Sequence, residues 1–123
     1  MTRSSIRSRR FGVGLLSALF IGAGSLHFLR PQPFDSIVPS WVPDARTATL
    51  LSGAAELAGG LGLLFPATRT PASWGLILLL LAVFPANLNM AQDPEKYGLP
   101  GWALWARLPL QPLLMWWVWK NRR

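Results

Sequence analysis

Cysteine is absent from the 123-residue chain, which excludes a structural disulfide, a CxxC redox couple, a thiolate metal site and an Fe–S cluster held by this chain alone. Any redox role therefore needs a bound cofactor. Charge is scarce too: 14% of residues are Asp, Glu, Lys or Arg, against about a quarter in an ordinary soluble domain. Five acids stand against twelve bases, a net charge of +7. The bases collect at the chain ends and in short gaps between apolar runs, so they form no stripe of the kind that tracks nucleic acid. Nucleic acid is not an expected partner. The only histidine, His27, rules out a bis-His haem within one chain, and a zinc ion would find no ligands beyond His27 and Glu56. No metal site is expected. There is no Ser–His–Asp arrangement, phosphate-binding glycine loop or nucleotide fingerprint, so the chain does not read as an enzyme on its own.

What the chain has in abundance is apolar length, with 51% hydrophobic residues and a mean hydropathy of +0.32. Phe11 to Leu29 is nineteen residues, and Pro71 to Ala91 twenty-one, without Asp, Glu, Lys or Arg. Thr47 to Phe65 carries one acid, Glu56, and Trp102 to Trp119 one base, Arg107. Each run is long enough to cross a hydrocarbon layer of about 30 Å at about 1.5 Å per residue. A soluble bundle would show a polar face with a period of 3.6, and WGLILLLLAVF shows none. The expected fold is all-α: an integral membrane four-helix bundle with spans at 11–29, 47–65, 71–91 and 102–119. Residues 11–120 form one domain between basic tails at 1–10 and 121–123. The first run continues through His27, Phe28 and Leu29 and is read as a retained span, not a cleaved leader.

The loops set the orientation through the excess of Lys and Arg on the cytoplasmic side. Arg3, Arg7, Arg9, Arg10, Arg69, Lys120, Arg122 and Arg123 place eight bases and no acid on one side. The other side holds Arg30, Asp35, Asp44, Arg46, Asp93, Glu95 and Lys96. Both termini are expected in the cytoplasm. Trp41, Trp102 and Trp105 then anchor the outer interface, and Trp74, Trp116, Trp117 and Trp119 the inner one. Between the first two spans, RPQPFDSIVPSWVPDAR is too polar and too rich in proline to span, and predicts a structured outer cap. The short PATRTP segment predicts an antiparallel hairpin of the second and third spans.

Membrane helices associate through close backbone approach and interhelical hydrogen bonds. Gly14, Ala18 and Gly22 on the first span and Ala54, Ala58 and Gly62 on the second, with Gly53, Gly59 and Gly60 beside them, are the expected packing faces, with contact between copies as the rival use. Pro85, Pro109 and Pro112 lie inside spans and predict bends.

Polar groups are costly in hydrocarbon and usually turn to the protein interior. The topology puts His27, Ser52, Glu56, Asn87, Arg107 and Gln111 all in the outer half. Ser52 and Glu56 are four apart, as are Arg107 and Gln111, so each pair shares a helix face. These six residues predict one buried cluster. The sharp expectation is a Glu56–Arg107 ion pair lining an outward-facing polar pocket. The plainer one is the same pair as a clasp that fixes helix register, and a third lets Arg107 snorkel while Glu56 takes a proton.

From Gly22 to Trp117, through AGSLHFLRPQPFDSIVPSWVP, LSGAAELAGGLGLLFPATR, AVFPANLNMA and WARLPLQPLLMWW, the chain resembles the small DoxX-like bacterial membrane proteins. The resemblance implies a four-helix membrane bundle and draws attention to Pro31, Phe34 and Pro39 beside the six polar residues. It also implies a link to thiosulfate:quinone oxidoreduction, redox-stress complexes or the assembly of partner proteins. The expected function is a non-catalytic membrane subunit or an interaction or assembly factor. The alternatives are a quinone- or lipid-binding subunit of a membrane oxidoreductase complex and an oligomeric small-solute transporter. No cofactor is required on the first reading, and quinone is the candidate on the second. The expected partners are the lipid bilayer, a redox or other membrane protein, and further copies of the chain.

Overall fold

A computed structural model describes residues 2–92 and 100–123, which contain five helices and no strand. They are α1 (Arg3–Leu29), α2 (Pro31–Asp35), α3 (Ala45–Leu64), α4 (Pro66–Gln92) and α5 (Gly101–Lys120). Asp93, Glu95 and Lys96, used above to orient the third loop, lie outside the described residues. Three helices are long and apolar enough to cross a membrane: Ile6–Leu29 within α1, α3 and α4. At twenty residues α5 has the length, about 30 Å, but five tryptophans, two prolines, Arg107 and Gln111 dilute its hydropathy, and it does not join that set. The surface agrees with the apolar composition, since Leu51, Leu61, Leu78, Leu81, Leu110 and Leu113 are all exposed.

Local chemistry sets the helix ends. Asp44 caps α3, its carboxylate accepting from the Thr47 backbone N–H at 3.3 Å and the Thr47 hydroxyl at 2.9 Å. At the other end the chain reverses on one residue, Phe65, whose extended backbone (φ −106°, ψ 125°) is the conformation a following proline favours. Pro66 opens α4, where a missing N–H costs nothing. The PATRTP segment is therefore helical, and the hairpin turn is shorter than the sequence reading expects. Arg69, one turn into α4, donates from Nε to the Leu63 carbonyl at 2.7 Å and from Nη2 to Leu64 at 3.4 Å, closing the open carbonyls of α3. Helix α1 starts at Arg3, so the basic residues 3–10 are its first turns. Both α4 and α5 run on through Pro85, Pro109 and Pro112.

In order of packing, α1 lies on α3, α3 on α4 and α4 on α5, with α2 laid over the ends of α1 and α3. The α1–α3 seam departs in part from the expected one. Gly14 and Gly22 have open space where a side chain would be, and Ala18, Ala54 and Ala58 are exposed. The stripe that repeats every four residues faces outward. Contact is made instead by small residues seven apart, Ser17 and Gly24 on α1 against Gly53 and Gly60 on α3. The Ser17 hydroxyl donates to the Gly60 carbonyl at 2.6 Å, fully buried. Of the expected faces, Gly53 and Gly60 pack against α1, and Gly59 and Gly62 against Leu76 and Ala72 of α4.

Two apolar cores result. Val13, Leu16, Phe20, Leu63, Leu76 and Val118 fill most of one toward the chain ends, and Met90, Ala91 and Leu104 form a smaller one near α2. Trp117 is half-buried against the first core, because α5 meets α1 there beside Gly12 and Asn121. The other six tryptophans are exposed.

A Cβ at position 60 would lie 3.1 Å from both the Ile21 nitrogen and the Ser17 oxygen, backbone atoms that cannot step aside singly. Gly60→Ala should therefore cost about 1–3 kcal/mol by overpacking and lower the thermal midpoint in detergent. Gly14→Ala, with nothing to meet, should leave the midpoint unchanged.

Candidate functional site

Where α1 and α5 part, beyond the contact at Gly12, a cavity of about 450 Å³ opens under α2. Phe20, Leu80 and Leu114 form its apolar floor. His27, Ser52, Glu56, Asn87, Arg107 and Gln111 all line it, drawn from α1, α3, α4 and α5.

The seam places the first two groups. His27 sits one turn beyond Gly24, and a Cβ on Gly53 would come within 2.6 Å of the His27 Cβ, so the imidazole reaches α3 only because residue 53 has no side chain. Glu56 follows Gly53 by three positions and meets the ring from the same side. The His27 Nδ1 donates to the Ala23 carbonyl at 2.7 Å, which fixes a proton on that nitrogen. The Glu56 Oε2 lies 3.8 Å from Nδ1, close enough for Coulombic attraction but too far for a hydrogen bond. That oxygen is buried and has no hydrogen-bond partner, and the same holds for Oε1 of Gln111.

The expected Glu56–Arg107 ion pair does not form. Arg107 is exposed at the cavity rim, and its Nη1 donates to the Met90 sulfur at 3.4 Å, a weak acceptor. Because α5 follows α4 and stays apart from α1, its guanidinium is held on the Met90 side while Glu56 faces His27. Among the described residues Arg46 and Asp35 form an ion pair, and Glu56 lies beside His27, which carries a charge only when protonated. A clasp of Glu56 with Arg107 therefore does not hold this bundle together.

The cap closes over the histidine. Pro31 starts α2, and Phe34 stacks on the imidazole with centroids 3.8 Å apart and planes 19° from parallel. Pro39 lines the cavity from the segment after α2. Two polar links tie this cap down: Arg46 Nε to Asp35 Oδ2 at 2.8 Å, and the Asn89 side-chain amide to the Ile37 carbonyl at 3.4 Å. Sequence reasoning missed Thr49, buried in the cavity wall, and Asn89. Thr49 had a readable signal, for Thr49, Ser52 and Glu56 stand at i, i+3 and i+7 on one helical face. Asn89 had none, since its partner is a backbone carbonyl of a loop.

A family profile, Domain of unknown function (DUF8561), matches residues 16–122. The chain belongs to this family. The matched DUF8561 segment holds the whole cap and all six polar residues of the cavity. No curated protein and no solved structure matches the chain.

The cap has a pH signature. The nearby Thr49 hydroxyl and the Arg46 guanidinium hold the Asp35 carboxyl below the usual carboxylate range, against a smaller opposing effect of burial. A carboxyl depressed in the folded state stabilises it above the unfolded value, about 3.9, and that contribution fades as pH falls through the folded value. Hydrogen exchange at the Ser36 and Ile37 amides, which bond to Gln32 and Phe34, should stay protected down to about pH 4 after correction for intrinsic rates. In Thr49→Val or Arg46→Gln, loss of protection should begin at higher pH.

Proposed function

We propose that this protein is a non-catalytic membrane subunit that holds a small amphipathic molecule, an isoprenoid quinone or a lipid, in the cavity beneath the cap. The observation that carries this reading is the pair of buried acceptors, Glu56 Oε2 and Gln111 Oε1, turned into a largely apolar chamber without a protein donor. A buried polar atom left unmatched costs about 1–3 kcal/mol, and the hydroxyl groups of the reduced quinone, or of a lipid head group, would supply the missing donors. Apolar walls with a few convergent polar groups are the usual make-up of a small-molecule site. Arg107 and Asn87 supply donors for a carbonyl or phosphate oxygen, and His27 and Glu56 provide a proton-carrying pair beside it.

The resemblance to DoxX-like proteins supports the quinone option. In this reading α5 is a fourth crossing, shielded by its neighbours where it carries Arg107 and Gln111. The two termini and Arg69 face the cytoplasm of a bacterial inner membrane, in keeping with the positive-inside rule. The cap and cavity then face outward.

The test is to extract the protein from its native membrane in mild detergent, identify co-purifying small molecules by mass spectrometry, and compare wild type with Glu56→Gln. A stoichiometric quinone or lipid in the wild type, reduced several-fold in the folded variant, is the expected result. A folded wild type that carries neither would favour the interaction or assembly role instead.

A further inference from the structure

A second chamber, of about 530 Å³, lies at the opposite end of the bundle. Arg9 and Arg10 of α1, Arg69 of α4 and Arg123 converge on it, and among the described residues no acidic side chain lines it. Its remaining wall is apolar, with Ile6 and Val13 from α1 and Leu64 from the end of α3. Charge therefore occupies one part of the chamber and hydrocarbon the other.

The decisive observation is Arg9. Its Nε and Nη2 are enclosed by the protein and have no hydrogen-bond partner. A guanidinium carries five donors and does not lose its charge, so enclosed, unmatched N–H groups call for an anion with several acceptor oxygens in one plane. Arg69 differs, because two of its nitrogens are committed to the α3 carbonyls. It adds charge to the chamber while staying fixed in place.

Position in the membrane narrows the anion. Arg9 and Arg10 immediately precede the apolar run that starts at Phe11, and exposed Trp74, Trp116 and Trp119 form an aromatic belt at the same end. The chamber is thus at head-group level, with its apolar wall continuing toward the acyl region. We infer that it is a binding site for the phosphate of an anionic phospholipid, with Arg9 as the enclosed ligand and Arg10 and Arg123 as outer cations. Bidentate N–H···O contact from a guanidinium suits a phosphodiester, and basic pockets between membrane helices are a known way of holding such head groups. The inference is independent of the cavity under the cap.

The experiment uses the full chain in detergent micelles and follows thermal unfolding and native mass spectra with added phosphatidylglycerol, phosphatidylcholine or inorganic phosphate. Phosphatidylglycerol should bind and raise the unfolding temperature, whereas phosphatidylcholine should do neither. Arg9→Gln should weaken phosphatidylglycerol binding about five- to tenfold. Arg7→Gln removes the same charge from an exposed position outside the chamber and should bind as wild type does. Should Arg9→Gln fail to fold, Arg10→Gln takes its place, with the same loss expected. Equal weakening in Arg7→Gln would reduce the effect to general charge attraction and overturn the site. Inorganic phosphate binding as tightly as phosphatidylglycerol would overturn the lipid as its source, and no binding of any probe would overturn the inference whole.

Discussion

The close approach of α1 to α3 is the constraint on which the rest of the molecule depends. Hydrocarbon gives two helices no solvophobic reason to meet, so contact must come from packing and hydrogen bonds. Gly24, Gly53 and Gly60 let the backbones touch, and the Ser17 hydroxyl binds the Gly60 carbonyl across the gap. One consequence is chemical: with no side chain at 53, His27 lies against α3 within Coulombic range of Glu56. Another is architectural. Once α1 is committed to α3, and α3 to α4 through Gly59 and Gly62, α5 can reach α1 only where small residues admit it, at Gly12. Elsewhere the two helices stay apart, and the space between them becomes the cavity.

Much of this was legible in the sequence, and the failures have a common cause. Apolar length identified the helices, and depth along them identified the six polar residues that share the cavity. Both follow from one-dimensional quantities, rise per residue and hydropathy. Which face of each helix turns inward is a matter of rotation, and there the reading erred for α1 and for Ala54 and Ala58 of α3. The run Gly14, Ala18, Gly22 offers the familiar four-residue spacing yet faces outward, while Ser17–Gly24 and Gly53–Gly60 pair at a spacing of seven. A seven-residue spacing keeps two positions on nearly one line along a helix. It was present in the sequence, but a lone serine hydroxyl gives it less prominence than a row of glycines and alanines.

The Glu56–Arg107 pair shows the same limit in electrostatic form. Opposite charges at similar depth invite pairing, since an isolated charge in hydrocarbon is costly. Depth agrees with the structure; azimuth does not. The position of α5 beside α4 takes Arg107 to Met90, and Glu56 is left with a histidine whose Nδ1 proton is already given to Ala23. A carboxyl oxygen so placed has an electrostatic neighbour but no hydrogen bond, which is the condition that distinguishes a receptive group from a structural clasp.

The two ends of the bundle thus solve opposite problems with the same few polar residues. Under the cap, the buried oxygens of Glu56 and Gln111 have no hydrogen-bond partner, and Phe34 is stacked on His27 beside the Asp35–Arg46 link. At the chain ends donors are in excess, with Arg9 enclosed and unmatched among other cations. Internal rearrangement cannot cancel one against the other, because the core of Val13, Leu16, Phe20, Leu63 and Leu76 lies between them. Each imbalance must be met from its own side of the bundle. A chain with so little charge places most of its unmatched polarity in two separate chambers, and this separation makes each of them a site that can be tested without disturbing the other.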